Sequence, residues 1–253
     1  MSTIEATEAN VAAFEFKLGD EQIEFSGSVR MMSEVADSFG VNLTAQERKD
    51  WQTLGRAAYV IDQYLDAEKD TPMPDIAPEL FSGRPIPGVP EEFSEDCKQW
   101  VERQTEARQA QINRHLAEIR ILVEAQAAAT TTSGVIAVRR KESDLLADIL
   151  SLRPEGREDA RARMKFNSWL TVAMRAGYLL DSLLDIKEDY ESGASGLKPG
   201  LAASCKMASY LLRETVVAAK VSPKALLGKG AMVMMRYEFK KIHPDFSNPH
   251  TII

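Results

Sequence analysis

Six aspartates carry the spacing that could do chemistry. Asp62, Asp66 and Asp70 lie in the stretch RAAYVIDQYLDAEKD from Arg56 to Asp70, and Asp181, Asp185 and Asp189 in RAGYLLDSLLDIKED from Arg175 to Asp189. The two stretches agree in place at Arg, Ala, Tyr, one Leu and all three Asp. On a helix, residues four apart lie one turn on and only about 40° round, so each set forms an acidic strip. Apolar residues surround both strips: Val60, Ile61 and Leu65 in the first, Leu179, Leu180, Leu183 and Leu184 in the second. Carboxylates on an inward face repel one another and lose hydration unless something positive meets them.

A divalent cation answers both problems. Donors that are all oxygen, without a supporting His or Cys, favour Mg²⁺ or Mn²⁺ over zinc. Mg²⁺ is held by a few carboxylates together with waters and substrate phosphates, so two such helices imply a phosphorylated ligand. Ala58 and Gly177 precede the first Asp of each set by four residues and leave space beside the carboxylates. Tyr59 and Tyr178 precede it by three, and Trp51, Leu170 and Met174 lie further along. That composition describes an acidic mouth above an apolar, aromatic depth. One acidic pair of this kind is ordinarily a solvated helix face. Two copies with Arg, Tyr and Asp at matched offsets favour ligation.

At these residues the sequence resembles class I isoprenoid synthases, most of all the squalene/phytoene synthase branch, which uses a DxxxD motif on each of two facing helices. Here the motifs are Asp62-Gln-Tyr-Leu-Asp66 and Asp181-Ser-Leu-Leu-Asp185. The second continues Ile-Lys-Glu-Asp189-Tyr-Glu-Ser-Gly193 with Pro199 beyond, similar to the continuation in that branch. The resemblance implies a single all-α helical bundle around a central apolar cavity. It implies Mg²⁺ held by Asp62, Asp66, Asp181, Asp185 and Asp189, and a geranyl, farnesyl or geranylgeranyl diphosphate as substrate. Release of pyrophosphate would leave an allylic carbocation, which Tyr59 and Tyr178 are placed to stabilise as aromatic faces do other cations. The sequence departs from the family in having no DDxxD, no Asn-Ser-Glu metal triad and no nicotinamide site, and it is short for a squalene synthase. A one-substrate terpene cyclase is therefore the first expectation. A prenyltransferase condensing two prenyl diphosphates is the second, and a non-catalytic prenyl-diphosphate binder the third.

A diphosphate also needs cations. Arg236-Tyr237 resembles the C-terminal Arg-Tyr pair of terpene cyclases. Arg139, Arg140 and Lys198 are further candidates, with Lys206 a lesser one. Arg56 and Arg175, six residues before each strip, point to another side and suit packing or salt bridges. Arg153, Arg157, Arg161 and Arg163 alternate with acids and read as a solvated helix start.

The elements that must position these residues are helical. Val29–Phe39 is amphipathic and ends at Gly40. Thr44-Ala-Gln-Glu47 is a capping box opening a helix to about Asp70. Thr71–Glu92, with six prolines, is read as a long loop at the pocket mouth. Ser94–Ala129 reads as one helix, TTTSG at Thr130–Gly134 as a break, and Val135–Leu152 as the next helix. Glu158–Glu191 carries the second strip and is stopped by Gly193. Leu201–Lys220 and Ala231–Ile242 are the last helices. Residues 1–28 form an N-terminal extension with a candidate hairpin at 14–25. Residues 29–242 form the all-α domain, and 243–253 a C-terminal tail.

Composition narrows the class. The chain has 253 residues, with 31 basic and 38 acidic ones and a net charge of −7. That excludes a general nucleic-acid binder. Two separated cysteines, Cys97 and Cys205, lack metal-site spacing and suit a reducing compartment. Without a signal peptide or a transmembrane run, the cytoplasm is the expected location. A homodimer is left open. The three histidines, His115, His243 and His250, form no Glu-x-x-His motif of a ferritin-like di-metal centre. Nor is there a motif for a serine or cysteine hydrolase. The ten methionines read as core filler.

Overall fold

The computed structural model describes residues 32–67, 76–86, 88–153, 157–223 and 225, with backbone alone for residues 59, 62–67, 157 and 158. Among the described residues all regular structure is helical. The helices are α1 (32–38), α2 (Ala45–Ala67), α3 (Ile76–Phe81), α4 (Glu91–Glu102), α5 (Glu106–Ala128), α6 (Thr132–Ile149), α7 (Arg157–Leu184), α8 (Ile186–Ser192) and α9 (Leu201–Val221). The chain divides into two compact units, one holding residues 43–120 and the other 31–42 and 121–253, with the division falling inside α5. No helix among the described residues is long and apolar enough to cross a membrane.

In the first unit, α2 opens on the reciprocal pair expected from Thr44 and Glu47. The Thr44 amide donates to the Glu47 carboxylate at 2.8 Å, and the Glu47 amide to the Thr44 hydroxyl at 3.1 Å. Trp51, Leu54, Ala57 and Val60 are buried, whereas Ala58 is exposed. Helix α2 packs on α3 and α4, and α3 on α4. Leu80, Phe81, Phe93, Cys97 and Trp100 fill the space, with the Phe81 and Trp100 rings 5.7 Å apart. The Arg56 guanidinium lies over the Phe93 ring at 4.4 Å, a packing role.

The proline-rich segment is not loop throughout: it holds α3. Pro78 falls in that helix's first turn, where its missing N–H would have no partner in any case. Ser94–Ala129 is not one helix either. Residues Arg103–Thr105 divide it, and the Thr105 hydroxyl accepts the Arg108 amide at 3.3 Å to start α5.

In the second unit, α7 packs along α6 and α9, and α8 follows α7. Phe39, just past α1, meets Phe166 edge-on at 5.9 Å and Trp169 at 6.0 Å. Asn167 clasps the exit from α6, accepting from the Leu152 amide at 2.9 Å and donating to its carbonyl at 2.8 Å. A core cluster of Val135, Ile136, Leu179, Leu197, Ala203 and Met207 joins α6, α7, α9 and the loop before α9. Arg163, expected on a solvated helix start, is buried and paired with Asp159 one turn earlier. Leu184, expected to be buried, is 38% exposed.

The expected helix Glu158–Glu191 bends once. Asp185 has φ −95° and ψ 8°, between α7 and α8. The ladder bridges the bend, with Asp185 N–H to Asp181 C=O at 2.9 Å and Asp189 N–H to Asp185 C=O at 2.8 Å. Gly193 then ends α8 at φ 80°, in the left-handed region that favours glycine. The candidate hairpin at 14–25, the helix Ala231–Ile242 and the tail from 243 lie outside the described residues.

Candidate functional site

Helix α6 begins where TTTSG interrupts the chain. Thr131 is its N-cap, and its hydroxyl accepts the Gly134 amide at 3.1 Å. Val135 and Ile136 anchor that end in the core, and Leu179 anchors the facing stretch of α7. With both helices fixed by those contacts, Arg139 stands over the second acidic strip.

The Arg139 guanidinium is tied on every side. Its Nε donates to the Ser182 hydroxyl at 2.8 Å, and Nη1 donates to Glu142 at 3.1 Å. Nη2 lies 3.8 Å from an Asp189 oxygen, and the carbon centre is 5.7 Å from the Tyr178 ring centroid. Ser182 is fully buried, and the side chains of Arg139 and Glu142 are only 14% and 11% exposed. Burial works against the Arg139 charge, but Glu142, Asp181 and Asp189 outweigh it and raise its pKa.

Asp189 fares differently. Burial pushes its carboxyl up to about 6; Arg139 opposes the rise, while Asp181, Asp185 and Glu188 add to it. The two shifts fit one geometry. Glu142 takes the short bond to Arg139, and Asp189 is left with the long contact beside other carboxylates. The positive group that the strip was expected to need is thus supplied in part by the chain itself.

The neighbouring candidates serve other contacts. Arg140 Nε is 3.2 Å from the buried Glu214 of α9. Arg175 grips Asp144 of α6 with two bonds, 2.5 and 2.8 Å, the salt-bridge role expected of it. Lys206 donates to Ser133 at 2.6 Å, and Lys198 is exposed in the loop before α9. The structure therefore groups Tyr178, Asp181, Asp189 and Arg139, with Asp185 at the bend between them in sequence. Sequence reasoning missed Ser182, Glu142 and Asp144. Glu142 was legible as the residue three beyond Arg139, a standard helix pairing. Ser182 sits inside the second DxxxD but carried no signal of its own.

Asp62 and Asp66 lie on the helical backbone of α2, but their side chains, that of Tyr59, and Asp70, Arg236 and Tyr237 altogether are outside the described residues. Among the described residues no group of three His, Cys, Asp or Glu side chains converges to hold a metal ion. The chemistry of the donors still fits a hard cation. Asp181, Asp185 and Asp189 offer only oxygen, and Asp189 sits in a field of like charge that a dication would relieve. No protein-family model, curated protein or solved structure matches the chain.

Proposed function

We propose that the protein is a Mg²⁺-dependent class I terpene synthase that ionises one allylic prenyl diphosphate and steers the resulting carbocation. The observation that carries this reading is the matched pair of DxxxD helices, the second of which runs beneath a buried arginine. Asp62 and Asp66 on α2 and Asp181, Asp185 and Asp189 on α7 and α8 would hold the metal. A divalent cation bound there supplies Lewis-acid stabilisation of the leaving diphosphate.

The chain's own residues have defined tasks in this scheme. Arg139 presents a fixed positive charge toward the strip, suited to a phosphoryl oxygen. Arg236 and Lys198 are further cations for the same group. The carbon–oxygen bond of the substrate breaks with its electron pair leaving on pyrophosphate. Tyr178, and Tyr59 on the other helix, offer ring faces to the cation left behind. Apolar side chains around a cavity keep water from quenching it.

Incubation with geranyl, farnesyl or geranylgeranyl diphosphate and Mg²⁺ tests the reading. The expected outcome is one pyrophosphate per molecule of cyclic hydrocarbon or terpene alcohol. Products carrying two prenyl units would instead identify a condensing enzyme. Pyrophosphate release no greater than in chelator would leave only a binding role.

A further inference from the structure

Arg139 has unequal attachments. Two are hydrogen bonds at 2.8 and 3.1 Å, to Ser182 and Glu142. The third, to Asp189, is 3.8 Å long and too far for a hydrogen bond. Loss of the third would leave the guanidinium in place, since the first two fix its plane at Nε and Nη1. Glu142 is on the same helix as Arg139, one turn away, so this anchorage does not depend on α8. Ser182 is on α7, before the bend at Asp185, whereas Asp189 is on α8, after it. The firm contacts and the loose one therefore belong to different segments.

We propose that Arg139 is an exchangeable counter-ion for Asp189: it neutralises the strip when no other cation is bound, and a divalent cation displaces it from Asp189 while Ser182 and Glu142 keep it in position. Displacement frees Nη2, the nitrogen that had faced Asp189, at the place where an anion brought by the metal would arrive. Ser182 and Glu142 are positioning residues in this arrangement. They act through Arg139 and touch neither metal nor substrate. The inference rests on the metal-binding part of the proposed function but not on any particular prenyl substrate.

The prediction runs against the usual effect of deleting a residue from a binding site. Removing Arg139 strengthens binding of a divalent cation because Asp189 loses the competing charge. Mn²⁺ binding, followed by electron spin resonance of the free ion, is the readout. Arg139→Gln is expected to bind Mn²⁺ about tenfold tighter than the unaltered protein, equivalent to about 1.4 kcal/mol. Asp189→Asn, alone or combined with Arg139→Gln, is expected to remove that gain. Ser182→Ala, which loosens Arg139 without deleting its charge, serves if Arg139→Gln does not fold. It should fall between the unaltered protein and Arg139→Gln.

Equal or weaker Mn²⁺ binding in Arg139→Gln overturns the exchange. So does a gain that survives Asp189→Asn. Absence of Mn²⁺ binding in all of these proteins overturns both the exchange and the metal-dependent function. Tight Mn²⁺ binding with the expected gain, but no pyrophosphate release from any prenyl diphosphate, upholds the exchange and rejects the terpene synthase.

Discussion

Ser182 Oγ receives the Arg139 Nε hydrogen at 2.8 Å from within the second DxxxD motif, on a side chain that is fully buried. The motif thus supplies an anchor for a cation between its first two aspartates. That contact makes the α6–α7 pairing specific, because it is a charged hydrogen bond in a place water reaches poorly.

Ser182→Ala is expected to lower folding stability by about 1–2 kcal/mol, the loss of a hydrogen bond to a buried charged donor. Urea unfolding followed by circular dichroism measures it. Helix content of the native state should not change, since alanine favours helix. A midpoint equal to that of the unaltered protein would mean that Arg139 finds another acceptor without loss.

The Arg175–Asp144 bridge has better geometry than its energetic worth. Both oxygens of Asp144 are engaged, yet the two side chains are 25% and 35% exposed. Solvent screening holds the pair to under about 1 kcal/mol. A double-mutant cycle with Arg175→Met and Asp144→Asn should give a coupling of that size, falling as salt is raised. Arg175→Lys should recover only part of it, because a lysine cannot make both bonds at once.

Gly196 occupies a narrow passage. A Cβ there would come within 2.9 Å of the Ala127 carbonyl oxygen and 3.1 Å of that of Ala129. Backbone oxygens at the end of a helix cannot rotate aside as a side chain can. Gly196→Ala is expected to destabilise the protein by about 1–3 kcal/mol. Gly200→Ala is the control: its Cβ meets nothing within 4 Å and its φ of 174° is open to any residue. That variant should be neutral or slightly stabilised in the same thermal melt.

Cys97 and Cys205 are expected to differ sharply toward a thiol reagent. Cys97 is buried on α4 and Cys205 exposed on α9. Burial, helped by Asp96 and opposed by Arg56, pushes the Cys97 thiol up from 9.0 to about 12. The folded state therefore holds this proton more tightly than the unfolded state. Its contribution to stability is complete below about pH 9 and declines as pH rises toward about 12. At pH 8 one thiol per chain should react quickly and the second only on unfolding. Prompt reaction of both would contradict the burial of Cys97.

Local chemistry made much of the fold legible in the sequence. Thr44 and Glu47 announced the start of α2, TTTSG the start of α6, and Gly193 the end of α8, each through a contact within four residues. The division at Arg103–Thr105 was obscured because apolar residues recur on both sides of it, and Thr105 alone marked the cap. The bend at Asp185 was equally hidden, since i to i−4 bonds continue through it. At the site, spacing identified the acids but could not choose their partners. Arg139 and Arg140 are adjacent in sequence, yet one meets the strip and the other Glu214, a choice made by the packing of α6 between α7 and α9.

The functional reading turns on Asp62 and Asp181, which hold equivalent places in the two repeated stretches. Each is proposed to give a carboxylate to a metal that stabilises the leaving pyrophosphate. Asp181→Asn keeps the volume and polarity of the side chain but removes its charge, and so does Asp62→Asn. Each is expected to cut pyrophosphate release by at least about 100-fold, the scale of losing a group that stabilises transition-state charge. Asp181→Asn should also leave a native melt, since Glu142 and Asp189 still balance Arg139. Tyr178→Leu is the contrasting change. It removes a ring face and no ligand, so the product mixture should shift more than the Michaelis constant. Full turnover by either asparagine variant, with circular dichroism unchanged, would reject metal-assisted ionisation at these strips.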